Sequence, residues 1–231
     1  MSAGKILLWI VFPYVAITSF VVGHWWRYRH DQFKWASRST QLLDRRVLGW
    51  ASPMFHYGAL AAVGGHILGL CIPPSVTDSI GIHEHTYRWI SAIAGGVAGA
   101  VTLIGFLGLV YRRARSDRVR HSTTRVDIFT YGLLTVLIVL GCYMTFVHNL
   151  ATSHPYNYRE SIGVWWRSIF YFQPNVAAAT QAPLIYQLHA IIAWAFWAAY
   201  PYTRLVHAWS IPLQYIGRPY ILYRRRYETV R

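Results

Sequence analysis

LIYQLHAIIAWAFWAAYPYTRLVHAW, residues Leu184 to Trp209, is a long apolar stretch with a histidine near each end. His189 and His207 lie eighteen residues apart. In one uninterrupted α-helix that is five whole turns, which puts both imidazoles on one face, about 27 Å apart along the axis. The hydrocarbon core of a bilayer is about 30 Å thick, so such a helix crosses a membrane with a histidine near either surface. A second stretch, Trp50 to Pro73, reads WASPMFHYGALAAVGGHILGLCIP and carries His56 and His66 ten residues apart, or about 15 Å. Ten residues turn through about 1000°, leaving the two side chains about 80° apart around the axis, so both can face one bundle interior. If the two helices run antiparallel, the four imidazoles form pairs at two depths, His66 with His189 and His56 with His207. His148 competes with His189 by depth. His189 is preferred because its segment supplies partners for both histidines of the second stretch.

Composition sets the environment of these helices. The 231 residues are 55% hydrophobic and 13% charged, with 11 Trp, 17 Tyr and 10 Phe, too apolar for a single soluble domain of this size. The expected fold is all-α, an integral membrane bundle of five transmembrane helices over one membrane domain, residues 1–231. Its spans fall at about 5–26, 50–73, 89–111, 127–149 and 184–209, each long enough to cross with some tilt. The first contains Pro13, which should kink it or be accommodated by local repair. It resembles a signal peptide in having Lys5 before an apolar run, but it lacks a small-residue cleavage site and continues to Trp25 and Trp26, so it is read as a retained span.

Charge gives orientation. Arg27, Arg29, Lys34, Arg38, Arg45 and Arg46 follow span one; Arg112, Arg113, Arg115, Arg118, Arg120 and Arg125 follow span three; Arg204, Arg218, Arg224, Arg225, Arg226 and Arg231 end the chain. Only Lys5, Arg88, Arg159 and Arg167 fall on the other side. The positive-inside rule then places the N-terminus outside and the C-terminus in the cytoplasm, with a basic cytoplasmic C-terminal tail, in the cell (cytoplasmic) membrane. The net charge of +14 sits in these juxtamembrane clusters, where orientation and anionic membrane lipid account for it, so no nucleic-acid partner is expected.

Other features are weaker. Cys71 and Cys142 are the only cysteines, too few to ligate an iron–sulfur cluster, and no C-x-x-C-H occurs to attach haem covalently. His24 beside Trp25 and Trp26 reads as an interfacial residue. Asp78, His83, Glu84 and His85 lie in an exposed outer loop that lacks a convincing zinc set. The aromatic run Trp165, Trp166, Phe170, Tyr171 and Phe172 is expected to lie in the outer interface. Arg112, at the cytoplasmic end of span three, suits either a carboxylate of a buried cofactor, such as a haem propionate, or lipid headgroups.

Ionisable residues inside a membrane are expensive and usually functional, and helix bundles build cofactor sites from facing side chains. Gly58, Gly64, Gly65 and Gly69 stand beside the histidines of span two. Gly65 and Gly69 form a small-xxx-small pair suited to close helix packing, yet packing alone gives no reason for two imidazoles there. A flat macrocycle laid against the helix would need missing side chains next to a ligating histidine. Bis-histidine ligation at two levels is what two b-type haems need, with both axial positions filled and electron transfer as the task. The residues also allow a haem-free membrane transporter or scaffold whose histidines handle protons.

The stretches QLLDRRVLGWASPMFHYGALAAVGGH (Gln41–His66), LGLCIPP (Leu68–Pro74), AGGVAGAVTLIGFLGLVYRR (Ala94–Arg113) and TRLVHAWSIPLQYIGRPY (Thr203–Tyr220) resemble the membrane subunit of respiratory nitrate reductases, the dihaem cytochrome b called the gamma chain. The resemblance implies haem-iron ligation by His66 and His189 at the outer site and by His56 and His207 at the inner. It implies a quinol (menaquinol) site beside the outer haem, near Gly65 and a lysine whose place is taken here by Tyr87, with Arg88 next. It further implies a cytoplasmic iron–sulfur subunit and, beyond it, a molybdenum-containing catalytic subunit. On this reading the chain is the quinol-oxidising electron-transfer subunit of a nitrate reductase complex, with terminal reduction on another subunit. Electrons moving inward work against the membrane potential, about 2.3 kcal/mol per 100 mV for a full crossing, so the inner haem is expected to have the more positive potential. A dihaem anchor of another cytoplasmic reductase would share all these features and differ only in its partner.

Overall fold

The computed structural model describes residues 1–31, 35, 40–209 and 217, and these form helices and turns with no strand among the described residues. Among the described residues, four helices are long and apolar enough to cross a membrane: α1 (Ala3–His30), α2 (Leu48–Cys71), α3 (Glu84–Arg115) and α4 (Arg125–Leu150). A short helix over the outer segment, α5 (Ile162–Phe170), and a final one, α6 (Leu184–Ala199), complete the bundle. The charges expected to face the cytoplasm at Lys34, Arg38, Arg218, Arg224, Arg225, Arg226 and Arg231 lie outside the described residues.

Local sequence explains how each long helix runs. Pro13 offers no N–H to the turn before it, and α1 passes through it by widening into a π-turn over Leu7–Val11. Helix α2 likewise ends in a π-turn, Ile67–Cys71, immediately after His66, and α4 ends in one over Phe146–Leu150. Such wide turns break the regular register where they occur. The start of α4 is fixed by a capping box in which Thr124 Oγ1 accepts from the Asp127 N–H at 3.2 Å and Asp127 Oδ2 accepts from the Thr124 N–H at 2.9 Å. Two of the first-turn N–H groups left over by helix geometry are thereby satisfied.

The most extensive helix contact is between α2 and α3, and glycine makes it. A Cβ on Gly58 would stand 2.6 Å from the backbone nitrogen of Thr102, and one on Gly108 would stand 2.7 Å from the Cβ of Ala51. A Cβ on Gly105 would run into the backbone of Phe55. Missing side chains let two backbones approach closely, which is how helices associate where no hydrophobic effect drives them. Next in order, α3 packs on α4, α4 on α6, and α6 on α1. Helix α6 packs chiefly on α1 and α4 rather than on α2, so the two histidine-bearing helices face each other without closing on each other.

The segment expected to be one five-turn helix is not. Its α-helix stops at Ala199 after 16 residues, about 24 Å. A 3-10 turn follows at Tyr200–Tyr202, Thr203 is extended (φ −103°, ψ 176°), and a second 3-10 stretch runs from Arg204 to Trp209. Pro201 supplies the reason, since it has no N–H to continue the ladder. Tyr200 O instead accepts from the Thr203 N–H at 3.1 Å and from its hydroxyl at 2.8 Å. His189 and His207 therefore do not lie on one continuous helix, although the two residues still sit at opposite ends of the segment.

The outer aromatic run also differs from expectation. Trp165 and Ile169, each 1% exposed, are the centre of the core. The Trp165 indole N–H donates to Trp9 O at 3.0 Å and its ring meets that of Trp9 edge-on at 5.0 Å. Phe170, Tyr171 and Phe172 are the exposed part. An amphipathic nine-residue helix thus closes the end of the bundle expected to face outward, between α1 and α2, one face in the core and one end exposed.

Candidate functional site

The four histidines meet as two pairs. The ring centres of His66 and His189 are 6.1 Å apart with planes 17° from parallel, and those of His56 and His207 are 6.0 Å apart with planes crossed at 67°. His148 sits elsewhere, edge-on to Tyr143 and Tyr186.

Three of the four rings are oriented by their own backbone. His56 Nδ1 is 2.7 Å from Ser52 O, His66 Nδ1 2.7 Å from Ala62 O, and His207 Nδ1 2.7 Å from Arg204 O. A carbonyl only accepts, so Nδ1 carries a proton, and in the neutral imidazole Nε2 is left with a lone pair. That is the tautomer a metal-ligating histidine needs, fixed by a second hydrogen bond of the usual kind. His189 differs in that its Nδ1 is buried with no protein partner.

Haem iron fits this arrangement. An imidazole–metal bond is about 2.0 Å long, and a ring nitrogen lies about 1.2 Å from its ring centre, so two imidazoles on one iron have ring centres roughly 6.3 Å apart. The observed 6.0 and 6.1 Å agree within the tilt of the rings. Space for a flat ring is also present: α2 and α6 are not in close packing, His56 and His66 are exposed between them, and a Cβ on Gly64 or Gly65 would meet nothing within 4 Å. These two glycines are thus not closing a helix contact, whereas Gly69 is filled by the Tyr158 hydroxyl. Across the outer pair, a Cβ on Gly141 of α4 would come to 3.6 Å from the His189 ring.

Two further groups of predicted residues divide. Tyr87 and Arg88 line a pocket of about 110 Å³ near the start of α3, with Glu84, Asn149, Tyr156 and Tyr158; Gly65 is not part of its wall. Beneath it lies a residue that sequence reasoning treated only as an outer charge. Arg159, 1% exposed, donates to Glu84 Oε2 at 3.1 Å and to Thr77 Oγ1 at 3.0 Å, and stacks 3.8 Å over the Tyr87 ring. Burial, with Tyr87 beside it, pushes the Tyr158 phenol well above its ordinary value, so it stays a proton donor. An arginine followed by an acid in an aromatic outer segment was the available signal.

Arg112 is put to another use. Its Nε and Nη2 donate to Asp44 O at 3.1 and 2.7 Å, its Nη2 to Thr40 O at 2.8 Å, and its Nη1 to Thr40 Oγ1 at 2.9 Å. Four bonds to the loop ahead of α2 leave this guanidinium little to offer a propionate. The remaining tie that sequence reading missed is between Asp127 and Arg204, which form a two-pronged ion pair with both distances 2.7 Å. Asp127, an acid at the very start of an apolar span, was its signal.

Comparison with known proteins gives the family. The family described as nitrate reductase gamma subunit matches residues 5–226. The chain is 39% identical to the nitrate reductase gamma chain of Bacillus subtilis over 95% of its own length and 98% of that protein's. It is 31% identical to the respiratory nitrate reductase 1 gamma chain of Escherichia coli, over 94% and 96%. It is also 45% identical to the nitrate reductase-like protein NarX of Mycobacterium tuberculosis over 97% of this chain, but spans only about a third (34%) of that longer protein. With four apolar helices of spanning length and a family match over nearly all its residues, the chain is a multi-pass membrane protein and belongs to the nitrate reductase gamma subunit family.

Proposed function

We propose that the chain is a dihaem b-type membrane subunit that oxidises quinol near the outer face and delivers electrons to a cytoplasmic partner. The observation that carries this is the pair of imidazole–imidazole spacings, 6.1 and 6.0 Å, between helices that do not otherwise pack. When bound, the two haems would supply a one-electron path between the outer and inner ends of the bundle. Residues His66 and His189 hold the outer one and His56 and His207 the inner. On this reading α6 and the turns after it make the fifth crossing, with the amino-terminal end of α1 outside and the carboxyl-terminal end in the cytoplasm, as the basic clusters favour.

The chain's own residues then do four things. Nδ1–H donation to backbone carbonyls at His56, His66 and His207 keeps Nε2 of those three a ligand rather than a proton carrier. Glu84, Tyr87, Arg88 and Tyr158 line the outer pocket that suits a quinol head group, with Glu84 the group able to accept a proton and pass it outward. Arg159 fixes Glu84 and Tyr87 in place. The arginines at the inner helix ends offer a cationic face to a further subunit, which the relatives' names as gamma chains imply; from the resemblance, that partner is one carrying iron–sulfur clusters, itself attached to a molybdenum-containing subunit. Menaquinol is the quinol expected from the resemblance.

The complex in membranes should show b-type absorption bands when reduced with dithionite, and a haem-to-chain ratio of two. Bands that appear also on addition of a quinol, and that are re-oxidised by nitrate, would establish the direction. A colourless preparation overturns the reading, and a coloured one indifferent to nitrate favours a different cytoplasmic reductase.

A further inference from the structure

The inner pair contains one ligand that its own helix cannot hold. His56, His66 and His189 are all in α-helices. His207 lies on a 3-10 stretch beyond the break at Pro201 and Thr203, and its Nδ1 is anchored to Arg204 O. A short 3-10 segment has poor hydrogen-bond geometry and little persistence of its own. Something outside the segment must fix where that carbonyl points.

Two side chains from other helices reach it. Arg27 of α1, 8% exposed, donates through Nη1 to Pro201 O at 2.7 Å and Thr203 O at 3.1 Å. Asp127 of α4, 4% exposed, takes the Arg204 guanidinium in a fork, Nε to Oδ1 and Nη2 to Oδ2, each 2.7 Å. Asp127 is itself held by the Thr124 N–H at the cap of α4. A bidentate arginine–carboxylate pair fixes orientation as well as distance. Because Arg204 supplies both the guanidinium and the carbonyl, the fork aims the carbonyl that aims the imidazole.

Resting on the dihaem reading above, we propose that Asp127 and Arg204 are positioning residues for the inner haem: the α4 cap, through this ion pair, sets the ring orientation and ligand strength of His207. Capping alone would not require Arg204, since Thr124 and Asp127 satisfy each other. Charge balance alone would not require the fork, nor place it one carbonyl away from a ligand. Among the described residues the outer pair has no such ion pair beside a ligand, so it is an internal reference in the same molecule.

The test uses the membrane-bound complex carrying Asp127→Ala, Asp127→Asn or Arg204→Lys, with separate redox titration and electron paramagnetic resonance of the two haems. Asp127→Ala should weaken retention of the inner haem about tenfold or more, as loss of a ligand's supporting partner commonly does, with the outer haem retained. Asp127→Asn and Arg204→Lys, which keep part of the fork, should retain both haems yet shift the potential and the low-spin signal of the inner one alone. Inner-haem signals unchanged in all three variants overturn the proposal. So do losses or shifts that strike both haems equally in the two conservative variants, because that is general instability. A wild-type complex with no haem would instead overturn the dihaem reading itself, so the two failures are distinct.

Discussion

The outer and inner histidine pairs have almost the same ring spacing and are built by different means. At the outer end, His66 and His189 project from two regular helices whose rings lie near parallel, and the neighbouring Gly64 and Gly65 leave open space. At the inner end, His56 projects from a helix packed tightly on α3 through Gly58, while His207 hangs on a strap tied by Arg27 and by the Asp127–Arg204 fork. One site is made by helix placement and the other by side-chain ties that join three segments, α1, α4 and the strap. The outer site should therefore depend on few residues outside its ligands, and the inner one on many.

The largest expected effect separates the pairs outright. Replacing His66 or His189 by alanine should remove one haem and leave the other, and replacing His56 or His207 should remove the other, as read by haem content and reduced-minus-oxidised spectra of the complex. If any single replacement abolished both bands at normal chain levels, the two sites would not be independent and the division into two ends would break.

A smaller contrast uses the glycines beside the histidines. A Cβ at position 58 would be 2.6 Å from the Thr102 backbone, so Gly58→Ala should destabilise the α2–α3 contact by about 1–3 kcal/mol, the usual range for overpacking. A Cβ at position 65 meets nothing, so Gly65→Ala should leave chain stability unchanged or raise it by up to about 1 kcal/mol through helix propensity. It should still lower outer-haem content, because the added methyl stands where a macrocycle would lie. Thermal unfolding in detergent and haem content, measured on both variants, check this. Equal stability losses would mean Gly65 serves helix packing after all.

Much of this arrangement was legible in the sequence because the bilayer imposes few solutions. Apolar length gives spans, and the spacing of His56 and His66 gives two depths. Helix identity for α1 to α4 followed in this way. What was not legible was the course of the chain after Ala199. A proline inside an apolar span can be absorbed, as Pro13 is in α1, or can end the helix, as Pro201 does in α6. The difference lies in what surrounds it: Pro13 is preceded by a π-turn, while Pro201 is followed by Thr203, whose hydroxyl closes the turn onto Tyr200 O. The juxtaposition of His56 with His207 was thus expected from a continuous helix that is not there. Arg112, Arg159 and Arg204 were counted by sequence position as topology charges. Each proves to be tied by a buried side chain or backbone, something charge counting cannot see.

The smallest effect is the most specific. The π-donor orbital of an axial imidazole stands perpendicular to its ring plane. Two parallel rings therefore raise the same iron dπ orbital and split it from its partner, which quenches orbital angular momentum. Two crossed rings raise both dπ orbitals alike and leave them nearly degenerate. With planes at 17° for the outer pair and 67° for the inner, the oxidised outer haem should give the more rhombic low-spin spectrum and the inner one the more anisotropic, with the larger maximal g value. The signals can be assigned by the His66→Ala and His207→Ala variants. A reversed assignment would mean that the strap carries His207 in another orientation when the iron is bound, and the ties at Arg27 and Asp127 would then be holding something other than the ring plane.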